Sequence, residues 1–221
     1  MSTLTVYPDP STGATTCDGF TTSGYGATML IAHNTATGDG ANPAHATNMY
    51  IRALKNASGF YLSRVGMGFD TSALTAGVTI SSAVLSLFGT SFAYANGSST
   101  SATIVGYAPT TDNTMVTSDF GKFSYVSWAS IALASLSQSA YNDFTLDANG
   151  IANINKTGIT RIGCITEVDR AVTTIGTADN LFNFKPADTA GTSNDPKLVI
   201  TYTSSSQVKD FIMSGFIPFA R

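Results

Sequence analysis

The chain has 221 residues, a length that an all-β domain commonly reaches as a single unit. Only 11% of the residues are Asp, Glu, Lys or Arg, against about 25% in average soluble domains, and Ser, Thr, Asn and Gly take their place. The formal net charge is −3, no Lys and Arg cluster is evident and no run reaches roughly 18 apolar residues, so we expect neither a nucleic-acid partner nor a membrane span.

Short apolar runs with a period of two, separated by Gly, Asn, Ser, Thr and Pro, predict β-strands along most of the chain. About ten such strands bury their apolar faces best when two sheets pack against each other. The prediction is therefore all-β: a jelly-roll β-sandwich of two antiparallel sheets. The strands are expected near residues 4–7, 28–32, 48–54, 61–69, 80–88, 102–107, 143–146, 161–166, 181–185 and 197–202.

The clearest strand signal lies at residues 61–69, where large apolar residues alternate with small or polar ones. Because successive side chains of a strand point to opposite faces, we expect one face to be core and the other to carry Arg64. In the next strand, Ile80 is out of phase with the apolar series that follows, which predicts a bulge or a strand start near Ser81. The predicted core face comprises Tyr61, Val65, Met67 and Phe69.

One short helix is predicted at about residues 147–157. Asp147 is suited to the N-cap, and Leu146 with Ile151 can form a hydrophobic staple around it. Gly158 can take the left-handed conformation that closes a helix. The helix should lie over one open end of the sandwich.

The sequence offers no convincing catalytic constellation, and we predict that the chain is not an enzyme. Glu167 and Asp169 could act as an acid and a base only if they project from one strand face, and the nearby Arg170 favours an ordinary ion pair. His33 and His45 lack metal-ligand spacing, so no metal ligand is predicted. No cofactor is expected, although a structural Ca²⁺ remains open, with candidates Asp9, Asp18 and Asp39.

Residues 61–88 resemble the centre of DNRLRE-type jelly-roll domains, which are similar to carbohydrate-binding modules. The resemblance rests on Arg-x-x-x-x-Phe-Asp from Arg64, followed by a short loop and Ile-x-x-Ala-x-Leu from Ile80. Residues 144–165 resemble the capping helix of that family with the strand after it, and residues 195–202 resemble its closing strand. The motifs span most of the chain and imply the jelly-roll fold for residues 1–203.

The same resemblance implies two functions. Similar domains occur in extracellular carbohydrate-active or adhesive proteins, and as stand-alone structural proteins of tailed phages. The sequence shows no secretory signal and no anchor, so we expect a phage structural protein, made in the host cytoplasm and located in the virion as an oligomer. Its role would be capsid decoration or tail-associated adhesion. The alternative is a carbohydrate-binding module of a cell-surface or adhesive protein.

Residues 204–221 are predicted to be a Ser-rich spacer followed by an apolar docking tail. Large apolar side chains left in water would promote aggregation, so they must be buried somewhere. We expect residues 208–221 to bind other virion proteins or copies of the same chain; the alternative is that they fold back on their own domain. The predicted docking residues are Phe211, Ile212, Met213, Phe216, Ile217 and Phe219.

A host-surface glycan is a further expected partner. Sugar binding uses aromatic side chains with hydrogen-bonding groups around them. The candidate ligand-binding residues are Trp128, Tyr94 and Tyr107. For Trp128, the single tryptophan, the alternative is packing within the core.

Overall fold

The computed structural model describes residues 1–10, 15–43, 47–94, 100–187 and 191–204. Within these ranges, twelve strands pair in antiparallel fashion and form a curled sheet, which confirms the all-β prediction. Three short α-helices and three 3-10 turns connect them in the same ranges. None of the helices in this described part is long and apolar enough to cross a membrane.

The elements are numbered in chain order. The strands are β1 Ser2–Val6, β2 Asp18–Gly26, β3 Gly40–Asn42, β4 Met49–Asn56, β5 Gly59–Asp70, β6 Val78–Ala93, β7 Ser101–Gly106, β8 Ala129–Ala132, β9 Tyr141–Thr145, β10 Ile159–Thr166, β11 Ala178–Phe184 and β12 Lys197–Ser204. The α-helices are α1 Met29–His33, α2 Ala148–Ala152 and α3 Glu167–Arg170. The 3-10 turns are Ser72–Leu74, Thr117–Lys122 and Leu133–Ser135.

Two long strands change partners along their length and so curl the sheet. The strand order is β1-β12-β6-β11-β4-β5-β10-β7-β8, with β9 beside β6 and with β2 and β3 attached through β5. β6 pairs with β12 through its first part and with β11 near its end. β5 pairs with β4 near its start and with β10 farther along, while β2 follows its other edge.

The main core lies inside the curl and receives side chains from most strands. Burying each large apolar side chain there stabilises the fold by about 1.5–3 kcal/mol. Members from strands throughout the sheet order are Met67, Leu85, Ile104, Phe144, Ile162, Phe182 and Ile200. A second, smaller cluster lies under α1 and α3 and contains Met29, Ala32, Phe60, Leu62, Phe120 and Val168.

The predicted division of β5 into a core face and a polar face is only partly right. Val65, Met67 and Phe69 are fully buried, but Tyr61 is half-buried near the start of the strand. Arg64 is also fully buried, because α1, α3 and the Thr117–Lys122 turn cover its side of the sheet. Tertiary packing therefore buries both faces in the middle of this strand.

The bulge predicted in the next strand is present. Thr201 of β12 pairs with Ser82 of β6, whereas the next residue, Tyr202, pairs with Ile80. Ser81 is the additional residue, and its hydroxyl donates to the Thr201 carbonyl. The extra residue brings Ile80 and the later apolar series onto the core side together.

Two local predictions are wrong in part. Residues 28–32, predicted as a strand, form α1, because the Thr28 hydroxyl accepts the Ile31 N–H and caps a helix. The predicted helix 147–157 begins as expected, with the Asp147 carboxylate accepting the Gly150 N–H at 2.9 Å, but ends at Ala152. Asn155 then accepts the N–H of Thr157 with its side chain, which competes with helix continuation.

Candidate functional site

An open cavity of about 750 Å³ lies between the loop after β7, the Thr117–Lys122 turn and helix α2. We name it the Trp128 groove. Gly106, Tyr107 and Trp128 line its floor, and the two walls carry mostly hydroxyl, amide and charged side chains. The wall residues used below are Thr110, Asp112, Lys122, Asn149, Asn153 and Arg161.

Trp128 belongs to the main core and also reaches the groove. The residue is only 6% exposed, and its backbone N–H donates to the Ile104 carbonyl at 2.8 Å. Gly106 makes this placement possible, because a Cβ there would lie 3.0 Å from Trp128 Cζ2. The indole therefore offers the groove little accessible surface.

The other two predicted ligand residues lie in different places. Tyr107 lines the groove but is largely buried, with its ring stacked on Phe123 at a centroid distance of 4.7 Å. Burial, and then the charge of Asp119, raise the pKa of Tyr107 well above its usual range. Tyr94 is exposed at the end of β6 and does not line the groove. The structure therefore brings together two of the three predicted residues.

Asp119 holds the loop that forms one wall, and sequence reasoning missed it. Its fully buried carboxylate accepts from the Thr110 N–H at 2.8 Å, from the Thr110 hydroxyl at 2.7 Å and from the Val116 N–H at 3.0 Å. Three hydrogen bonds to one carboxylate fix the loop before any ligand arrives. The only local signal was an acidic residue early in a Thr-Ser-Asp turn.

A paired charge lies within the groove lining. Arg161 of β10 donates from Nη2 to Asp112 Oδ2 at 2.7 Å and from Nε to the other carboxylate oxygen. This bidentate hydrogen bond raises the pKa of Arg161. Asp112 is the only carboxylate among the described residues that line the groove, and both of its oxygens accept hydrogen bonds from Arg161.

Helix α2 supplies amide groups to the opposite wall. Asn149 and Asn153 are four residues apart, so they lie on the same side of the helix, and both are exposed. The Asn153 side-chain NH₂ donates to the Asn149 carbonyl at 2.8 Å, which orients the amide. The groove therefore combines one oriented amide, a second exposed amide, hydroxyls and a neutralised ion pair, an arrangement suited to a ligand rich in hydroxyl groups.

Glu167 and Asp169, the one carboxylate pair that the sequence suggested, each form an ion pair with a different arginine. They lie on α3 rather than on a strand; Glu167 pairs with Arg170 at 2.6 Å, as predicted, and Asp169 turns inward. Arg64 Nε and Nη2 donate to Asp169 at 2.7 and 2.8 Å, and His33 Nδ1 lies 2.9 Å from the same carboxylate. Burial opposes ionisation of Asp169, but Arg64 and His33 outweigh it and lower its pKa.

The residues considered for metal binding have other contacts. Asp9 accepts the Thr16 N–H, Asp18 accepts the Ala187 N–H and Asp39 accepts the Thr22 hydroxyl. His33 is buried at the end of α1, and His45 lies outside the described residues. In the described ranges, no group of three or more His, Cys, Asp or Glu side chains could hold a metal ion.

Residues 205–221 lie outside the described part of the chain, and the predicted docking residues are among them. The last described strand, β12, ends at Ser204.

Comparison with protein-family models and with curated proteins found no match to this chain. The fold and the groove define an all-β protein with a polar surface depression. The resemblance to DNRLRE-type domains stays an expectation that rests on the residues quoted above.

Proposed function

We propose that the chain is a non-catalytic structural protein of a tailed-phage virion, which uses the Trp128 groove to bind a host-surface glycan. The observation that supports the glycan-binding part of the proposal is the groove itself, a depression with exposed amides on one side and a carboxylate-anchored loop on the other. Hydroxyl-rich ligands need such fixed donors and acceptors. The virion part rests on the resemblance quoted above and on the apolar residues 208–221. Residues 208–221 would attach the protein to its virion partners, and the setting would be a tail-associated adhesin.

We further propose that the curled sheet is a jelly-roll β-sandwich in which β6 belongs to both halves. One half comprises β1, β12, β6 and β9, and the other comprises β11, β4, β5, β10, β7 and β8 with β2 and β3. Support comes from the main core, where Leu85 and Ile200 of the first half share one cluster with Met67 and Ile104 of the second. Two sheets that bury their inner faces together give such a core.

A binding role fits the groove better than glycan cleavage. Hydrolysis of a glycosidic bond commonly uses two carboxyl groups on opposite sides of the bond. Asp112 is engaged by Arg161, and Asp169 is buried with Arg64. Neither carboxylate is placed to serve as a proton donor to a ligand in the groove.

The groove proposal predicts loss of glycan binding when the α2 amides are removed. On an array of neutral oligosaccharides, the N149A/N153A double variant should bind about tenfold or more weakly, since each hydrogen bond contributes about 0.5–1.5 kcal/mol. Its melting temperature should change little, because both side chains are exposed and only the Asn153 hydrogen bond to the Asn149 carbonyl is lost. Asn34→Ala, at an exposed asparagine outside the groove, is the matched control. An array with no bound glycan, or equal binding by the double variant, would refute the groove proposal.

The virion setting predicts that residues 208–221 are needed for assembly. A chain that ends before Val208 should fold, because β12 closes at Ser204, yet should be missing from purified phage particles in an immunoblot. A full-length variant with Phe211, Phe216 and Phe219 replaced by Ser should also be missing from the particles, which would show that the apolar side chains matter rather than the chain length. If the shortened chain enters particles normally, the attachment role is wrong. A carbohydrate-binding module of a cell-surface protein, the second candidate, would bind glycans through the groove with or without those residues.

A further inference from the structure

Three tyrosines share one face of the sheet formed by β11, β4, the start of β5, and β2. Tyr61 of β5 pairs with Leu54 of β4 on one side and with Tyr25 of β2 on the other. The side chains of Leu54, Tyr61 and Tyr25 therefore project from the same face. The rings of Tyr25 and Tyr61 are 5.3 Å apart between centroids, and Tyr25 is 53% exposed. Tyr50 lies four residues from Leu54 on β4 and therefore points the same way. We name this surface the tyrosine face.

Polar groups between the tyrosines are held in place by one another. Arg52 lies between Tyr50 and Leu54 on β4 and forms two hydrogen bonds to Asp179 of β11, at 2.8 and 2.7 Å. At one end of the face, the Asn183 amide donates to the Ser91 hydroxyl at 3.0 Å. At the other end, the Asn56 amide donates to the Tyr25 hydroxyl at 3.2 Å. The positions of these groups are thus set before a ligand arrives.

The opposite side of the same strands is mostly buried, whereas the tyrosine face is partly exposed here and becomes core farther along β5, from Val65 onward. Ile51 and Phe182 are paired neighbours on that inner side, and both are fully buried, as is Leu62 of β5. Tyr50 rests on Phe20 with a centroid distance of 4.3 Å, so its ring has a fixed support. Partial burial, and then the neighbouring Tyr61, raise the pKa of Tyr50. None of Tyr25, Tyr50 and Tyr61 was predicted to bind a ligand.

We propose that the tyrosine face is a second binding surface, for an extended chain of neutral sugars. Tyrosine rings present apolar area to the faces of sugar rings, while their hydroxyl groups and the nearby amides serve the sugar hydroxyls. Arg52 and Asp179 neutralise each other. The Asp39 carboxylate, which accepts the Thr22 hydroxyl, lies near enough to Tyr50 to contribute to its raised pKa. The surface therefore selects against an anionic ligand. The tyrosines come from three neighbouring strands, an arrangement that suits a chain crossing the strands rather than one enclosed sugar.

This surface is separate from the Trp128 groove. The groove is built by β7, β10, α2 and their loops, and none of its lining residues lies on the tyrosine face. A protein with both sites would hold one polysaccharide at two points, or two chains at once, and the second contact would raise the apparent affinity.

Affinity electrophoresis of the full chain in gels that contain hydroxyethylcellulose, galactomannan or arabinoxylan tests the inference. At least one of these neutral polysaccharides should retard the wild type, and Tyr25→Ala and Tyr61→Ala should each weaken the retardation about tenfold. Tyr61→Phe, which keeps the ring, should retain most of it. Tyr7→Ala removes an exposed tyrosine next to β1 and should behave as the wild type. Circular dichroism of each variant confirms that it is folded.

The outcomes separate this inference from the groove proposal. Retardation that is lost in the Tyr25 and Tyr61 variants but kept in N149A/N153A supports a second site. The reverse pattern overturns the tyrosine face and leaves the groove in place. A wild type that no gel retards also overturns it, whatever the oligosaccharide array shows. The inference is also wrong if no gel retards the wild type and the Tyr25→Ala variant has a different oligomeric state in analytical ultracentrifugation. The tyrosine face would then be a contact between copies of the protein.

Discussion

Arg64→Met is expected to lower the free energy of unfolding by about 3–5 kcal/mol, as measured by urea denaturation at neutral pH. The substitution leaves the Asp169 carboxylate buried without its guanidinium partner. It also removes the donors to the Phe120 and His33 carbonyls, at 2.7 and 2.9 Å, and the contact of the guanidinium with the Phe120 ring at 3.9 Å. One side chain joins β5 to α1, α3 and the Thr117–Lys122 turn, so its loss loosens three segments together.

Arg52→Met provides the matched control for this variant. Arg52 makes the same bidentate contact with Asp179, but the two side chains are 30% and 34% exposed, and an exposed pair contributes only about 0–1 kcal/mol. The R64M/D169L double variant should recover part of the stability, because it removes both buried charges. Equal losses in Arg64→Met and Arg52→Met would show that burial of the pair has no energetic consequence, and our account of the network would be wrong.

The same network gives stability a defined dependence on pH. The folded-state pKa of Asp169 lies below its unfolded value of about 3.9. The stabilisation is therefore present above about pH 4 and is lost as the pH falls through the folded-state pKa. Acid unfolding of the D169N variant should show a weaker dependence on pH in this range than unfolding of the wild type.

Arg64 also shows where reasoning from a single sequence stops. Alternation along residues 61–69 correctly assigned a strand and correctly placed Val65, Met67 and Phe69 in the core, but it wrongly left the Arg64 face unburied. Which faces are buried depends on α1 and α3, which are distant in the chain and are positioned by the buried network itself. Periodicity reports the local backbone, whereas burial of a polar face follows from packing between distant segments.

The tyrosine face was beyond sequence reasoning for a related reason. Tyr25, Tyr50 and Tyr61 come from three strands, and only the pairing register places them together. Tyr25 belongs to β2, whose Gly, Ser and Thr residues lack the apolar alternation of a predicted strand. By contrast, the start of α2 was predictable, because an N-cap is made by residues three apart in the chain.

Trp128→Ala is expected to lower the free energy of unfolding by about 3–5 kcal/mol, measured by the same urea denaturation. The indole fills space in the main core. A Cβ added at Gly150 would lie 3.0 Å from the Trp128 Cβ, so α2 packs directly against this residue. The Trp128 carbonyl also accepts the Asp147 N–H at 2.8 Å, next to the helix cap. If Trp128 served only as an exposed platform for sugars, its replacement by Ala would lower the free energy of unfolding by about 0.5 kcal/mol or less.

Tryptophan fluorescence distinguishes the two roles further, since Trp128 is the single tryptophan of the chain. A buried indole should emit at short wavelength and resist quenching by acrylamide, and Trp128→Phe should keep most of the stability. Strong quenching in the absence of ligand would contradict the core assignment. Trp128→Ala removes the side chain against which α2 packs and so disturbs the position of that helix. Weaker glycan binding by this variant would therefore not identify a contact between Trp128 and the sugar. Contact is tested instead by the exposed amides of α2, whose removal leaves the core intact.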